Sequence, residues 1–373
     1  MLIDKLRKEH PQHWANSTAI RVLTLDAVAA ANSGHSGMPM GMADVATVLF
    51  FNHLKFDPKA PLWTDRDRLI LSAGHGSMLL YSLLYLTGYD DFPLEEIKNF
   101  RQLGAKTAGH PENFLSDAIE TTTGPLGQGL ANSVGFAMAE EIQRANFGKN
   151  IVDHYTYVFA GDGCLMEGIS QEAITLAGRQ KLSKLIVFWD NNNITIDGKV
   201  ELSDNTNQVE RFRSSGWHVL EIDGHNPVEI NEAIIEAKKN SKPTMIACET
   251  HIALGSSAQD TAKGHGALTD NKLIEETKKV YGWSQEKFYI PPEVKKEWEE
   301  IGQKGHKEKL SWENRFKLLS SKKQSEFSRM HSMEVPQKLN RAINRLKKSI
   351  SIEKPKVATR KSSEMVLNVI NPI

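Results

Sequence analysis

Apolar residues along the chain recur with two periods, one typical of buried strands and one typical of amphipathic helices. Short runs rich in β-branched and aromatic residues predict strands at 68–73, 155–160, 185–190, 217–222 and 244–249. Apolar positions three to four residues apart predict helices at 17–31, 77–87, 126–146, 168–180 and 227–239. Because strands alternate with longer helices, we expect an α/β fold with a doubly wound, mostly parallel sheet and helices on both faces.

The start of the first predicted helix carries a local signal. Ser17 directly precedes the apolar positions of that helix, and serine is a favoured N-cap residue because its side-chain oxygen accepts a bond from an unpaired backbone N–H. We therefore expect the helix to begin at Ser17.

The composition changes near residue 275. From there the sequence is highly charged and lacks strand-like runs, which predicts solvated helices and a connector. After residue 354 a short extended piece leads into an amphipathic helix, which needs a core to pack against. We expect a main domain at 1–275, a charged helical linker at 276–354 and the start of another domain at 355–373. So short a segment supplies no core, so we expect the chain to stop inside that domain.

Charge and composition exclude several classes of protein. Lys+Arg and Asp+Glu both number 46, so no overall field favours nucleic acid or a membrane surface, and any anion must be bound locally. The amino terminus lacks the long apolar core of a signal peptide, and the most apolar helix is too short to span a bilayer. Two cysteines form no disulfide framework. We expect a soluble cytoplasmic protein that binds neither nucleic acid nor membrane.

One carboxylate stands out in the stretch "FAGDGCLMEG" at 159–168. Asp162 lies between Gly161 and Gly163, directly behind a predicted strand. Loops at the carboxyl ends of parallel strands are where α/β proteins bind ligands, and glycine lets a bulky ligand approach the backbone. Cys164, with no cation beside it in sequence, is expected to be a small buried side chain rather than a nucleophile.

A second loop, "DNNNITIDG" at 190–198, follows the next strand. The helix between the two strands makes a βαβ unit, so Asp162 and Asn192 are expected to share one crevice. A carboxylate, an amide oxygen and a backbone carbonyl are hard ligands that suit Mg²⁺ or Ca²⁺ beside a bound diphosphate. Alone, each loop is more typical of an ordinary turn; the pair favours a metal–diphosphate site. The common Gly-rich phosphate motifs are absent.

Several further motifs give the chain a family resemblance. An Asn-containing turn about thirty residues after Gly-Asp-Gly resembles the thiamine diphosphate signature. From about residue 12 onwards, the order and spacing of the motifs resemble the transketolase family. Those motifs are "NSGHSGMPMGMADV", "LSAGHGSMLLY", "KTAGHPE", "TTTGPLGQGLANSVG", "DNNNITIDG" and "KGHGAL".

The resemblance implies a role for each matching residue. Asp162, Asn192 and the carbonyl of Ile194 would ligate Mg²⁺, with Ca²⁺ or another divalent ion as alternatives. The remaining implied roles fall into two groups. Cofactor contacts would come from His75, Gly124, Pro125, Leu126, Gly163, Asn192 and His265. Substrate contacts would come from His35, His110, His265 and Arg360, with His35 and His265 acting in catalysis.

The implied reaction is that of the pentose phosphate pathway enzyme transketolase. In that reaction, bound thiamine diphosphate would supply the nucleophilic thiazolium carbon with which a ketose phosphate is cleaved and its two-carbon unit transferred to an aldose phosphate. Each step moves protons on sugar hydroxyls, which suits imidazoles near neutral pH. Arg360, in "ATRKSSE", would grip the substrate phosphate, because a guanidinium binds phosphate bidentately.

The sequence departs from the family pattern at three places. Ser36 and Ala108 stand where the family commonly has proline, and Ala262 stands where it often has a second histidine. We expect Ser36 to change local flexibility and leave His35 unaffected. Without a histidine at 262, this loop has one hydrogen-bond donor fewer for the ligand, and we expect His265 to act there alone.

The resemblance also implies partners. The family's activating glutamate and ring-stacking aromatic residues lie in a second domain, so we expect this chain to be inactive alone. It would act as a homodimer in a full-length protein or with a carboxyl-terminal partner chain. Two alternatives stay open: a cofactor-binding half-subunit that needs a partner chain, and another thiamine diphosphate enzyme such as a deoxyxylulose-phosphate synthase or a dehydrogenase.

Overall fold

The main architectural element is a five-stranded sheet in which all strands run parallel. The computed structural model describes residues 2–332 and 334–373. Strand order in the sheet is β1-β2-β3-β7-β6, and β4 and β5 form a separate two-stranded hairpin. The strands are β1 Arg68–Leu71, β2 Thr156–Gly161, β3 Leu185–Asn191, β4 Ile194–Thr195, β5 Gly198–Lys199, β6 His218–Asp223 and β7 Thr244–Glu249. The expected α/β fold is confirmed, and each predicted strand is found to within two residues at either end.

Helices connect the strands and continue after the sheet. The helices before β2 are α1 Leu2–Glu9, α2 Pro11–Ala31, α3 Gly37–Gly41, α4 Ala43–Asn52, α5 Ser77–Thr87, α6 Leu94–Lys98 and α7 Gln128–Phe147. Those from β2 to β7 are α8 Asp162–Met166, α9 Gly168–Gln180, α10 Gln208–Ser214 and α11 Pro227–Lys239. Those after β7 are α12 Ala262–His265, α13 Asn271–Tyr281, α14 Pro292–Lys317, α15 Ser321–His331, α16 Gln337–Glu353 and α17 Thr359–Ile370.

The central strands are apolar along nearly their whole length because they are covered on both faces. In β3, every residue from Leu185 to Asp190 is buried, and Val187 and Phe188 are wholly inaccessible to solvent. Strand β2 is paired with β3 in parallel, and α8 and α9 connect them. The βαβ unit predicted from the sequence is therefore present, and it brings the carboxyl ends of its two strands together.

The prediction that Ser17 caps a helix is wrong. Helix α2 begins six residues earlier, at Pro11, where proline is well tolerated because the first helical N–H has no partner. Ser17 is buried inside the helix, and its hydroxyl accepts a hydrogen bond from Arg21 Nη1 at 2.8 Å. The apolar period begins at Ser17 only because the turns before it are mainly polar.

Compact packing divides the described chain into two units, with the boundary between Arg315 and Phe316. The first unit contains the sheet. The second, Phe316–Ile373, contains α15, α16 and α17, none of which has a residue in the sheet. The domain boundaries expected from composition, at 275 and 354, stay a prediction.

The charged segment after residue 275 is less solvated than expected. Within α14, Trp298 has no exposed surface, and its indole lies edge-on to Phe51 with ring centroids 4.8 Å apart. Gly302 and Gly305 face the backbone of the first unit, where a Cβ on Gly305 would meet the Phe56 carbonyl oxygen at 1.4 Å. Charged residues on the other face of α14 conceal this buried stripe in a composition profile.

The last helix, α17, follows five residues without regular structure, in agreement with the expected short extended piece and amphipathic helix. It packs against α16 within the second unit. Met365 and Ile370 are half-buried, whereas Val366 is 39% exposed. In the part of the chain that the structure describes, no helix has the length and apolar character needed to cross a membrane.

Candidate active site

A cavity of about 320 Å³ opens at the carboxyl edge of the sheet. Strand ends and loops widely separated in sequence contribute its walls, as is general for ligand sites of parallel α/β proteins. The lining residues are His35, Met38, Ala73, His75, His110, Gly124, Leu126, Gly161, Asp162, Gly163, Cys164, Asp190, Asn192, Ile194, Thr195, Ile196, Ile252 and His265. Ten of the twelve residues singled out from the sequence are in this set, the exceptions being Pro125 and Arg360.

Asp162 is the first residue of α8, directly after β2, and is 7% exposed. Its Oδ1 accepts a hydrogen bond from the Trp189 indole N–H at 3.0 Å. Its Oδ2 is buried without a hydrogen-bond partner among the described residues. Burial, together with the neighbouring Asp190 carboxylate, raises the pKa of Asp162 to about 7. A carboxylate held in this state is suited to a cation, because a cation supplies the charge and the ligation that the protein withholds.

Asn192 follows β3 and faces the same cavity. Its Nδ2 donates to Asp190 Oδ2 at 2.9 Å, and its Oδ1 accepts from the Ile194 N–H at 2.9 Å. Between them, Asn193 adopts a left-handed conformation with φ of +62°, which turns the chain into the β4–β5 hairpin. The turn thus brings the amide of Asn192 and the backbone of Ile194 to the cavity together.

Asp190 is a second carboxylate in the cavity that the sequence analysis did not select. It is the sixth residue of β3 and is 1% exposed. Burial raises its pKa to about 6, although hydrogen bonds from Thr250 and Asn192 lower it. A signal existed in the sequence, since Asp190 is the only acidic residue of an otherwise apolar predicted strand.

Three histidines from separate loops meet on one side of the cavity. The ring centroids of His35 and His75 are 5.0 Å apart, those of His35 and His265 are 5.6 Å apart, and those of His75 and His265 are 5.1 Å apart. His35 follows α2, His75 lies in a short 3₁₀ turn after β1, and His265 ends α12. The fold therefore brings together three histidines that are far apart in the sequence.

The histidines are held neutral. Burial lowers the pKa of His35 to about 4 and the pKa of His75 to about 3, and the neighbouring imidazoles and Arg101 add to the effect on His35. Burial also lowers the pKa of His265 and of His110. The expectation of imidazoles titrating near neutral pH therefore does not describe this cavity, whose rings are neutral donors and acceptors. Buried Nδ1 of His35 has no partner among the described residues and remains available to a ligand.

Glycine residues also line the cavity. Gly124 has φ of +154° and lies against His110, whose ring a Cβ on Gly124 would meet at 3.2 Å. A Cβ on Gly163 would meet Leu126 Cδ1 at 2.9 Å. Pro125 is exposed and does not line the cavity. At Gly124 and Gly163, the lack of a side chain therefore lets a neighbouring side chain of the cavity wall pack closely against the backbone.

Ser36 proves to be a structural link between two of the histidine loops. Its N–H donates to the Gly266 carbonyl at 2.9 Å, and its hydroxyl accepts from the Leu268 N–H at 3.3 Å. A proline has neither group. Besides the expected change in flexibility, which stays a prediction, Ser36 connects the loop of His35 to the loop of His265.

Two further residues named from the sequence are Arg360 and Cys164. Arg360 is the second residue of α17, in the second unit, where its side chain is exposed. Cys164 is fully buried and burial raises the pKa of its thiol, as expected for an unreactive side chain.

The donor set fits an oxygen-ligated ion better than a thiolate or histidine site. Among residues 2–332 and 334–373 there is no cluster of three or more His, Cys, Asp or Glu side chains arranged to hold a metal ion. The unpartnered Asp162 oxygen, the amide of Asn192 and a nearby backbone carbonyl instead match the hard ligands of Mg²⁺, which keeps some of its sites for water and phosphate. A parallel sheet with this set at its carboxyl edge, beside bare glycine backbone, defines an α/β protein of the diphosphate-cofactor-binding class.

Comparison with known proteins identifies the family. The family model described as "Transketolase, thiamine diphosphate binding domain" matches residues 13–338. A transketolase of Rhodobacter capsulatus is 58% identical over 369 residues, covering 99% of this chain and 55% of that protein. The chain therefore belongs to the transketolase family, which confirms the resemblance found in the sequence.

Solved structures of transketolases are also similar to this chain. A transketolase from Campylobacter jejuni superposes with a TM-score of 0.87 at 40% identity, covering 97% of this chain and 55% of that one. A Pichia stipitis transketolase in complex with sedoheptulose-7-phosphate gives a TM-score of 0.89 at 41% identity, covering 97% and 54%. The chain thus spans about half the length of the curated relatives it matches.

Proposed function

We propose that this chain forms the part of a transketolase that binds thiamine diphosphate and Mg²⁺. The whole protein would transfer a two-carbon ketol unit from a ketose phosphate to an aldose phosphate, as a cytoplasmic enzyme of the pentose phosphate pathway. The observation that carries the proposal is the buried, unpartnered Oδ2 of Asp162 at the sheet edge. Family membership favours this reading over the other thiamine diphosphate enzymes considered from the sequence.

Asp162, Asn192 and the Ile194 carbonyl would hold the ion, with Ca²⁺ or another divalent cation as the alternative. Trp189 occupies one oxygen of Asp162, so Oδ2 is the one left for an ion. A single ligating carboxylate leaves Mg²⁺ with a net positive charge, which a bound diphosphate then neutralises. Gly163 and Asn192 would contact that diphosphate, as would His75 and His265, which line the same cavity.

Thiamine diphosphate, when bound, supplies a nucleophilic thiazolium carbon that cleaves and forms bonds next to a sugar carbonyl. Gly124 and Leu126, which line the cavity, would support its rings together with the neighbouring Pro125. His35, His110 and His265 would hold sugar hydroxyls: a neutral imidazole donates through one ring nitrogen and accepts through the other. His35 and His265 would also move protons there, since a positioned imidazole can do so. Arg360 would bind the sugar phosphate, and the assembly would be a homodimer or a complex with a second chain.

Calorimetry on the 373-residue chain tests the proposal. Asp162→Ala removes the one carboxylate assigned to the ion and is expected to abolish Mg²⁺-dependent binding of thiamine diphosphate. Asn192→Ala should weaken binding less, because water can replace a neutral ligand. Asp197→Ala, which removes an exposed carboxylate from the β4–β5 turn, is the matched control and should bind as the unaltered chain does. If Asp162→Ala bound cofactor with unchanged affinity, the metal assignment would be wrong.

A second assay concerns turnover by this polypeptide. The carboxylates lining the cavity are Asp162 and Asp190, both on the metal side. The family resemblance implies that the acid contacting the aminopyrimidine ring comes from a second domain. We therefore expect the 373-residue chain alone to bind cofactor weakly, through Mg²⁺ and the diphosphate, and not to convert xylulose 5-phosphate and ribose 5-phosphate. Turnover at an ordinary enzyme's rate without any added chain would contradict that expectation.

A further inference from the structure

The end of strand β3 contains a buried acid to which the proposed function assigns no role. Asp190 is 1% exposed, and its backbone lies in register between Gly161 of β2 and Cys248 of β7. Residues fixed between two neighbouring strands have little freedom to move. The carboxylate of Asp190 is therefore a rigid feature beside the cavity.

Each oxygen of Asp190 has its own donor. Oδ1 accepts a hydrogen bond from the Thr250 hydroxyl, and Oδ2 accepts from Asn192 Nδ2 at 2.9 Å. Thr250 is 5% exposed and follows β7 directly. The carboxylate thus connects the loop after β7 to the loop after β3.

These contacts decide which way the Asn192 amide faces. An ionised carboxylate only accepts hydrogen bonds, so it selects the NH₂ end of the amide. The oxygen end then points to the Ile194 N–H, at 2.9 Å, and keeps a lone pair for another partner. Without Asp190, the Ile194 N–H would still favour the oxygen end, but the NH₂ end would lose its acceptor, so one contact instead of two would hold the oxygen towards a cation.

We propose that Asp190 is a positioning residue, which holds the Asn192 amide so that its oxygen faces the cation. The Thr250 hydroxyl holds the carboxylate in turn, by donating to its other oxygen. The inference rests on the proposed Mg²⁺ site, because Asn192 is useful in this orientation only if its oxygen ligates an ion. Groups that orient metal ligands commonly tune affinity nearly as strongly as the ligands themselves.

Titration of Mg²⁺ into the 373-residue chain at saturating thiamine diphosphate, followed by calorimetry, tests the inference. Asp190→Ala removes the acceptor and is expected to weaken Mg²⁺ binding about 10- to 100-fold, the usual effect of losing such a group. Asp190→Asn keeps an acceptor oxygen for Asn192 Nδ2 and should recover most of the affinity. Thr250→Val, which removes the hydroxyl and keeps the shape, should cause a smaller loss.

The decisive readout is a double-mutant cycle with Asn192→Ala. If Asp190 acts through the Asn192 amide, Asp190→Ala costs no further affinity once that amide is gone. Equal losses in both backgrounds, or unchanged affinity of Asp190→Ala, would overturn the inference. Should Asp190→Ala fail to fold, judged by its melting without metal, the same cycle is run with Thr250→Val. Failure of the proposed function is distinct, because Asp162→Ala would then leave Mg²⁺ binding unchanged.

Discussion

At the scale of single residues, Ser36 connects two loops that are distant in the sequence by hydrogen bonds. The chain brings His35 and His265 within 5.6 Å of each other, although 230 positions separate them in the sequence (265 − 35). Ser36 is fully buried and bonds Gly266 and Leu268 through its N–H and its hydroxyl. The loop of His265 is therefore held by the residue next to His35.

Ser36→Ala is expected to destabilise the first unit. The substitution leaves the buried Leu268 N–H without its acceptor, which costs about 1–3 kcal/mol in free energy of unfolding. Ser33→Ala is the control on the same loop, since the amide of Ser33 bonds the Val28 carbonyl and is retained. Urea unfolding of the three proteins measures the difference. Equal midpoints for Ser36→Ala and Ser33→Ala would show that the hydroxyl contributes nothing.

His53 makes stability depend on pH. Its Nε2 lies 3.0 Å from Asn231 Oδ1, and burial, with Lys238 nearby, lowers its pKa to about 4. An unfolded histidine has a pKa of about 6.5, so between these values the unfolded chain binds more protons than the folded chain. The contribution of His53 therefore falls as pH drops from about 6.5 towards 4.

We expect His53→Gln to flatten this dependence, because glutamine does not titrate and can still donate to Asn231. Wild type and variant should have similar stability near pH 7 and diverge below about pH 6, by less than about 1.4 kcal/mol per pH unit, the limit for one proton. Melting temperatures measured from pH 7 to pH 4.5 test this. Curves that stay parallel over the whole range would refute it.

At the scale of elements, hydrophobic periodicity predicted most strands and helices. It did not predict the start of α2 or the buried face of α14. The strands follow from runs of apolar residues that are buried on both faces, and the helices between them follow from their amphipathic period. Helix α2 starts earlier than expected because its first turns are mainly polar, and because Pro11 is compatible with the first helical position. The buried face of α14 was missed because its apolar residues stand among many charged ones, and because two of its contact positions are glycine, which contributes no apolar side chain to a pattern.

Two glycines in helices should respond in opposite directions to alanine. A Cβ on Gly305 would overlap the Phe56 carbonyl oxygen, whereas a Cβ on Gly135, in α7, would meet nothing within 4 Å. Gly305→Ala should therefore lower the free energy of unfolding by about 1–3 kcal/mol or more, as overpacking does. Gly135→Ala should raise it by about 0.5–1 kcal/mol, because alanine restricts the unfolded chain. Thermal melts of both variants decide the matter; a stable Gly305→Ala would mean that α14 does not pack as described.

At the scale of the whole molecule, the cavity gathers residues from loops after α2, β1, β2, β3 and β7. The sequence predicted that Asp162 and Asn192 share a crevice, because consecutive parallel strands end at the same edge. The histidines were recognised only through the family resemblance, since no local pattern relates their three loops. Asp190 was missed because its hydrogen-bond partner Thr250, in the loop after β7, is remote from it along the chain.

The unpartnered, buried carboxylate of Asp162 is expected to lower the free energy of unfolding when no metal is bound. Asp162→Asn retains the shape and an acceptor for the Trp189 indole, but removes a buried charge close to Asp190. In the absence of metal, we expect the free energy of unfolding to rise by on the order of 1 kcal/mol. The same variant should show no increase in melting temperature on adding Mg²⁺ and thiamine diphosphate, whereas the unaltered chain should, by mass action.

Differential scanning calorimetry with and without both ligands measures the two effects together. A variant that is less stable than the unaltered chain without metal would mean that Asp162 is satisfied by the protein itself. A variant that still gains stability from the ligands would mean that the ion binds elsewhere.

The hydrogen bond from Trp189 to Asp162 also gives the molecule an optical property. The emission of an indole shifts when the electric field along its ring changes, and this indole N–H lies 3.0 Å from the oxygen of the carboxylate assigned to the ion. Arrival of a divalent cation would therefore change the fluorescence of one tryptophan among seven. Subtracting the spectrum of Trp189→Phe would isolate that signal, so occupancy of the site could be followed in real time without a dye or a coupled assay.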